Sequence, residues 1–291
     1  MAPPTLFHVD VFAAGPLTGN GLTVFLDSEG WSTEVMQRLT QEMRQFESIF
    51  LAGISPDGAT ARVFTVEEEL PFAGHPVLGA AAVLHRTQAP QAEACRWSLT
   101  LPHGVVPIKT VRVGDHYLCE MNQGRAVFGG RAGSAALSPI LGRLGLDETA
   151  IIQGLPAQVV STGLPYLIVP VSPAALAATN ISGSDLEALL GTFGAKFLFV
   201  LDVEGRELRT WDNLGMVEDV ATGSAAGPAA AYLFSHGLAD PGLPLELAQG
   251  RFAGRPSKIT IVQDQAGHLL VSGEVWPVSH GTLDMNPGEG G

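Results

Sequence analysis

Hydrophobic and polar positions follow two rhythms along this chain. Around Val35, Met36, Leu39 and Met43 the apolar residues recur at helical spacing, which predicts an amphipathic helix, and the "FESIFLA" run that follows predicts a strand. The succession returns later, where Leu186, Leu189, Leu190 and Phe193 precede "AKFLFVLD". "TGNGLTVFL" at 18–26 and "TGLPYLIVP" at 162–170 each read as a glycine-containing turn opening a β-rich run. Two further stretches, "ELPFAGHPVLGAAAVL" at 69–84 and "EDVATGSAAGPAAAYL" at 218–233, read as alanine-rich helices entered through a turn.

Set against each other at a constant offset, these last two segments align Glu69 with Glu218, Gly74 with Gly223, Ala80 to Ala82 with Ala229 to Ala231, and Leu84 with Leu233. Three kinds of segment repeated in one order predict a duplicated α/β unit. Residues 1–123 are expected to form the first half and 124–291 the second, with the extreme C-terminus a candidate to return to the first. The glycine-rich "NQGRAVFGGRAGS" at 122–134 reads as the linker, leading to another helical stretch. Each half is expected to wrap a sheet around an apolar helix, with a ligand in the cleft between halves.

Composition narrows the function classes. Of 291 residues, 46% are hydrophobic and 15% charged, which suits a well-packed protein. The net charge of −13 disfavours nucleic acid and anionic membrane as partners. Residues 149–184 carry no charge, but Pro156, Pro165, Pro170 and Pro173 punctuate the run, so it reads as buried strand and turns rather than a membrane span. "MAPPTLFHVDVF" has no basic leader and meets Asp10 early, so the cytoplasm is the expected location. Cys95 and Cys119 lack CxxC spacing and are expected to be buried and reduced.

The repeated turns carry the candidate chemistry. Pro76 suits the first turn of a helix, where its missing N–H costs nothing, leaving Gly74 and His75 to present backbone donors. Thr222, Gly223 and Ser224 hold the equivalent place, with Thr222 or Ser224 a candidate cap. Two helix N-termini facing one cleft would hold a carboxylate or enolate without lysine or arginine, so a small anionic substrate is expected. Glu47 sits in an apolar strand, where desolvation raises its proton affinity and suits it to general-base work. His75 and Asp219, at the repeated turns, are placed for a proton relay. The competing reading for these three is structural: Glu47 facing solvent, His75 bonded to a carbonyl, Asp219 ordering its loop.

Other motifs fail on inspection. "TGNGLTV" lacks the third glycine of a dinucleotide loop, no GK[ST] P-loop occurs, and "TGSAAG" is not a nucleophile elbow. The histidines never fall in HxH or HExxH spacing, so neither metal nor cofactor is expected. Cofactor-free acid/base chemistry remains.

"TGNGLTVFLD", the helix followed by Glu47 in a strand, "ELPFAGHPVLGAA", "EDVATGSAAGPAAAYL" and "QGRFAGRPSKI", in this order over nearly the whole chain, resemble the phenazine-biosynthesis isomerase (PhzF-like) family, related in fold to diaminopimelate epimerase. The resemblance implies an α+β, duplicated diaminopimelate epimerase-like fold, two similar halves each with a central helix wrapped by a curved, mainly antiparallel sheet, and a homodimer. It implies that Glu47 moves the proton. It also implies that Gly74 and His75 of the first turn, and Asp219, Gly223 and Ser224 of the second, line the site, while Asn20 of the GN turn shapes or contacts it. The epimerase relatives place a cysteine pair where Ala73 and Thr222 stand here, so a two-thiol racemase is excluded. The family's GNP is GNG, the proline of its "DPATGS" is Val220, and the small polar residue before its glutamate is Phe46, which predicts a drier, narrower pocket. Two alternatives stay open: an epimerase or racemase of a small amino acid, with Asp219 or His75 as second base, and a non-catalytic binding protein on the same fold.

Overall fold

The computed structural model describes residues 3–183, 185–212, 215–285 and 287. Residue 184, the last of the uncharged run, therefore lies outside the described residues. The chain divides into two compact units: residues 1–122 with 272–291, and residues 123–271.

In the first unit the strands are β1 (Thr5–Val11), β2 (Asn20–Phe25), β3 (Glu47–Ser55), β4 (Gly58–Thr65), β5 (Glu69–Leu70), β6 (Ala94–Leu101), β7 (Gly104–Val113) and β8 (His116–Asn122). The helices are α1 (Thr33–Met43) and α2 (Gly74–Gln88). The sheet runs β1-β2-β3-β4-β6-β7-β8, and the last strand of the chain, written β16 below (Leu269–Thr282), pairs antiparallel with β1 and neighbours β8. The sheet thereby closes around α2. Among the described pairings of this unit β2–β3 and β4–β6 are parallel, and each of these pairs is bridged by a helix, as parallel strands require.

Helix α2 is buried from Gly74 through His85. A helix apolar on all sides belongs inside a sheet, and its small residues let the strands approach closely. Gly79 marks the tightest point: a Cβ there would lie 2.4 Å from Leu22 Cδ2 and 3.1 Å from Val11 Cγ2. Helix α1 packs on the outer face. Ser32 caps it, its hydroxyl accepting from the Val35 N–H at 3.2 Å, and Arg44 ends it in the left-handed region at φ 54°. Its Met36 and Leu39 cover Phe25 and Phe50, whose rings stack at 4.6 Å.

The second unit contains β9 (Val127–Ala132), α3 (Ser134–Arg143), β10 (Ala157–Ser161), β11 (Pro165–Val171), α4 (Pro173–Ala178), α5 (Leu186–Gly191), β12 (Phe197–Asp202), β13 (Glu207–Arg209), α6 (Gly223–Ser235), β14 (Leu245–Gln249) and β15 (Ser257–Gln263). The order β10-β11-β12-β13-β14-β15 alternates antiparallel and parallel pairings, as β1-β2-β3-β4-β6-β7 does. Helix α6, buried from Ala225 through Leu233, is the counterpart of α2, and α3, α4 and α5 pack on the outer face of β10–β12. This is the duplicated α+β architecture that the repeats predict.

Three local expectations are corrected. The presumed linker contains β9, because pairing with β10 overrides the poor strand preference of its glycines. The uncharged run holds helix α4 besides its strands, started by Ser172 and by proline at the first turn. Both cysteines are free, but only Cys119 is buried; Cys95 is half-exposed. Among the described residues no helix is long and apolar enough to cross a membrane.

Candidate active site

The seven residues picked from the sequence fall into two groups, one in each unit. In the first, strand register decides which way Glu47 points. Leu22 faces α2 at Gly79, and β3 pairs Glu47 directly with Leu22, so Glu47 shares the inner face while Phe50 lies on the α1 side. Glu47 is only 6% exposed, which removes the solvent-facing reading. Its Oε2 lies 3.3 Å from Nδ1 of His75, the second residue of α2. Asn20, the first residue of β2, places its Nδ2 3.5 Å from the same Nδ1. Asn20, Glu47 and His75 are thus brought together, with Gly74 adjoining on α2.

Burial, at 5% exposure, holds the His75 imidazole neutral, its pKa lowered to about 3 by desolvation. Nδ1 faces both the Asn20 amide and the Glu47 carboxyl, so the place of the ring proton follows the charge on Glu47: an ionised carboxylate draws it to Nδ1, and a protonated one leaves Nδ1 an acceptor. Nε2 is buried and has no hydrogen-bond partner among the described residues. The imidazole therefore offers a neutral N–H donor beside a buried carboxyl group. Ala73 stands at the N-cap of α2 and has no polar side chain to cap the helix, so its first amides are not spent on one.

The second group surrounds the head of α6. Asp219 is buried at 9% exposure, and its Oδ1 accepts from the Ala221 N–H at 3.3 Å. Gly223 opens the helix and its carbonyl accepts from Gln123 Nε2 at 2.7 Å. Ser224 Oγ is 2.7 Å from the Tyr166 hydroxyl of β11. The expected cap does not form: Thr222 occupies the N-cap without a capping bond, and the Ser224 hydroxyl meets Tyr166 instead. Sequence reasoning missed Tyr166, Gln123 and Gln249. Tyr166 lies in a run that reads only as core, and the two glutamines carry no local signal of their role.

Among the described residues no cluster of three or more His, Cys, Asp or Glu side chains is arranged to hold a metal. What the two turns present instead is a carboxyl group beside a neutral imidazole, and a buried aspartate at an uncapped helix head, on a duplicated fold. Such groups are of the kind that acid/base chemistry uses.

Comparison with known proteins makes the assignment specific. A family model described as phenazine biosynthesis-like protein matches residues 9–281, and the chain belongs to that family. It is 36% identical to trans-2,3-dihydro-3-hydroxyanthranilate isomerase of Pseudomonas aeruginosa, over 92% of this chain and 93% of that protein. Among solved structures, a predicted epimerase from Pseudomonas aeruginosa superposes with a TM-score of 0.91 at 47% identity, covering 97% of this chain and 99% of that one. A probable proline racemase from Agrobacterium radiobacter shares the fold alone, with a TM-score of 0.59 at 12% identity over 98% and 94% of the two chains. The protein is an isomerase of the PhzF type.

Proposed function

We propose that this isomerase moves a proton on a small, carboxylate-bearing, conjugated substrate without a cofactor, with Glu47 as acid/base. The observation that carries the reading is the buried Glu47 carboxyl on the inner face of β3, its Oε2 3.3 Å from a neutral His75. In the proposed step Glu47 takes a proton from a carbon conjugated to the substrate's carboxylate. The C–H electron pair moves into the conjugated system, and Glu47 returns the proton at another carbon. Nothing is oxidised or reduced, and an enol formed in this way relaxes to its ketone. His75 bonds the ionised Glu47 through Nδ1–H and, with Asn20 beside it, fixes the direction in which that carboxylate points. Asp219, Gly223 and Ser224 supply further binding groups. Phe46, next to Glu47 in the chain, is half-buried.

The test uses trans-2,3-dihydro-3-hydroxyanthranilate, the compound named for the relative, with NMR in D₂O. Deuterium uptake is expected with wild type and should fall by ~10²-fold or more in Glu47→Gln while binding persists. Undiminished exchange in that variant would move the base to Asp219 or His75. A second reading, epimerisation of a small amino acid, draws on the 47% identity to the predicted epimerase. Deuterium entering Cα of an amino acid with loss of optical rotation would favour it, and Asp219 or His75 would then be the second base.

A further inference from the structure

Thr222 sends its hydroxyl in a direction its position does not demand. It occupies the N-cap of α6, where a hydroxyl ordinarily accepts from an amide one turn on, yet it makes no such bond. Its Oγ1 instead contacts Asp219 Oδ2 at 2.5 Å and Gln249 Nε2 at 2.9 Å. The carboxamide nitrogen can only donate, so Thr222 accepts from Gln249 and spends its one proton on Asp219. The orientation of the Gln249 amide is set by the backbone: its Oε1 accepts from the Thr222 N–H at 2.8 Å and its Nε2 also donates to the Asp219 carbonyl at 2.7 Å. Gln249 is 1% exposed, at the end of β14. Both of its amide protons and its carbonyl oxygen are directed at the Asp219–Thr222 turn. Gly250 next to it, at φ 81°, keeps the approach tight, since a Cβ there would lie 2.5 Å from the Val220 carbonyl oxygen.

We propose that Gln249 and Thr222 are positioning residues of the isomerase: Gln249 orients the Thr222 hydroxyl as a permanent donor to Asp219, holding that carboxylate ionised and in one rotamer. This rests on Asp219 being a site residue, as the proposed function has it. Several charged groups on the elements packed around the turn are paired with one another. Glu218 is bound to Arg209 of β13, Arg251 after β14 to Glu207, and Glu246 of β14 to Lys258 of β15. Arg255 follows in the same segment, its carbonyl close to Gly250, and α6 carries no charged residue.

The experiment compares Thr222→Val, Thr222→Ala, Thr222→Ser and Gln249→Met with wild type. The first readout needs no substrate: ¹³C NMR titration of the Asp219 carboxyl. Removing the hydroxyl by either Thr222→Val or Thr222→Ala is expected to raise the Asp219 midpoint by about one pH unit or more, because the donor favours the charged form. Thr222→Ser restores it, and Gln249→Met gives a smaller rise. The second readout is the pH profile of kcat with trans-2,3-dihydro-3-hydroxyanthranilate, whose acid limb should move with the midpoint while KM changes less. An unmoved Asp219 midpoint in folded Thr222→Val or Thr222→Ala overturns the relay. A shifted midpoint without wild-type turnover of that compound upholds the relay and overturns the substrate reading.

Discussion

Protonation of His75 is the most direct handle on this site. Buried at 5% exposure, the imidazole has its pKa lowered to about 3, against about 6.5 in an unfolded chain. Below pH 6.5 the unfolded imidazole therefore binds a proton that the folded one refuses. Stability is then independent of this group above pH 6.5 and falls as the pH drops toward 3, by about 1.4 kcal/mol per unit. Over the whole window the loss approaches about 5 kcal/mol, and at pH 5 it is about 2 kcal/mol. Urea unfolding of wild type and His75→Gln at pH 7.5 and 5.0 isolates the effect. Between those pH values wild type should lose about 2 kcal/mol more than the variant, which has no proton to refuse. Imidazole ¹³C and ¹⁵N shifts should report neutral His75 throughout. The influence pulling the other way is the Glu47 carboxyl at 3.3 Å, which when ionised favours imidazolium. An imidazole titrating at or above pH 6.5, or equal pH dependence in the two proteins, would refute burial as the dominant influence.

Gly79→Ala should destabilise by about 1–3 kcal/mol despite alanine's better helix preference, because Leu22 and Val11 leave no room for a methyl group. Gly142→Ala, at an exposed position of α3 with nothing within 4 Å, should instead gain up to about 1 kcal/mol; chemical denaturation reads both signs. Arg209 forks onto Glu218 at 2.8 and 2.7 Å, donates to the Leu176 and Thr179 carbonyls, and lies over the Trp211 and Phe252 rings. Glu218→Gln should therefore cost about 3–5 kcal/mol in thermal or urea unfolding, since it leaves a buried guanidinium without its counter-charge. Turnover should be unchanged by EDTA dialysis, and the purified protein should show no flavin or nicotinamide absorbance; activity restored only by an added metal would contradict this.

The sequence by itself determined the elements. The helical spacing of Met36 and Leu39, the strand from Glu47 and the two alanine-rich helices are local signals, carried by side-chain periodicity and by glycine and proline at the turns. Because those signals repeat, the duplication was legible too, and motif order added the family. The tertiary structure decided what long-range pairing controls. Only the register of β3 on β2 turns Glu47 inward, and only the packing of α2 brings His75 to Asn20, 55 residues away. β9 became a strand because β10 offers its backbone a ladder, which no glycine-rich segment announces. The C-terminal strand pairs with β1 across almost the full chain. Gln249 and Tyr166 reach Thr222 and Ser224 across 27 and 58 residues. Hydrogen bonds spanning such separations depend on where the backbone has already been placed, and that information lies in no window of the sequence.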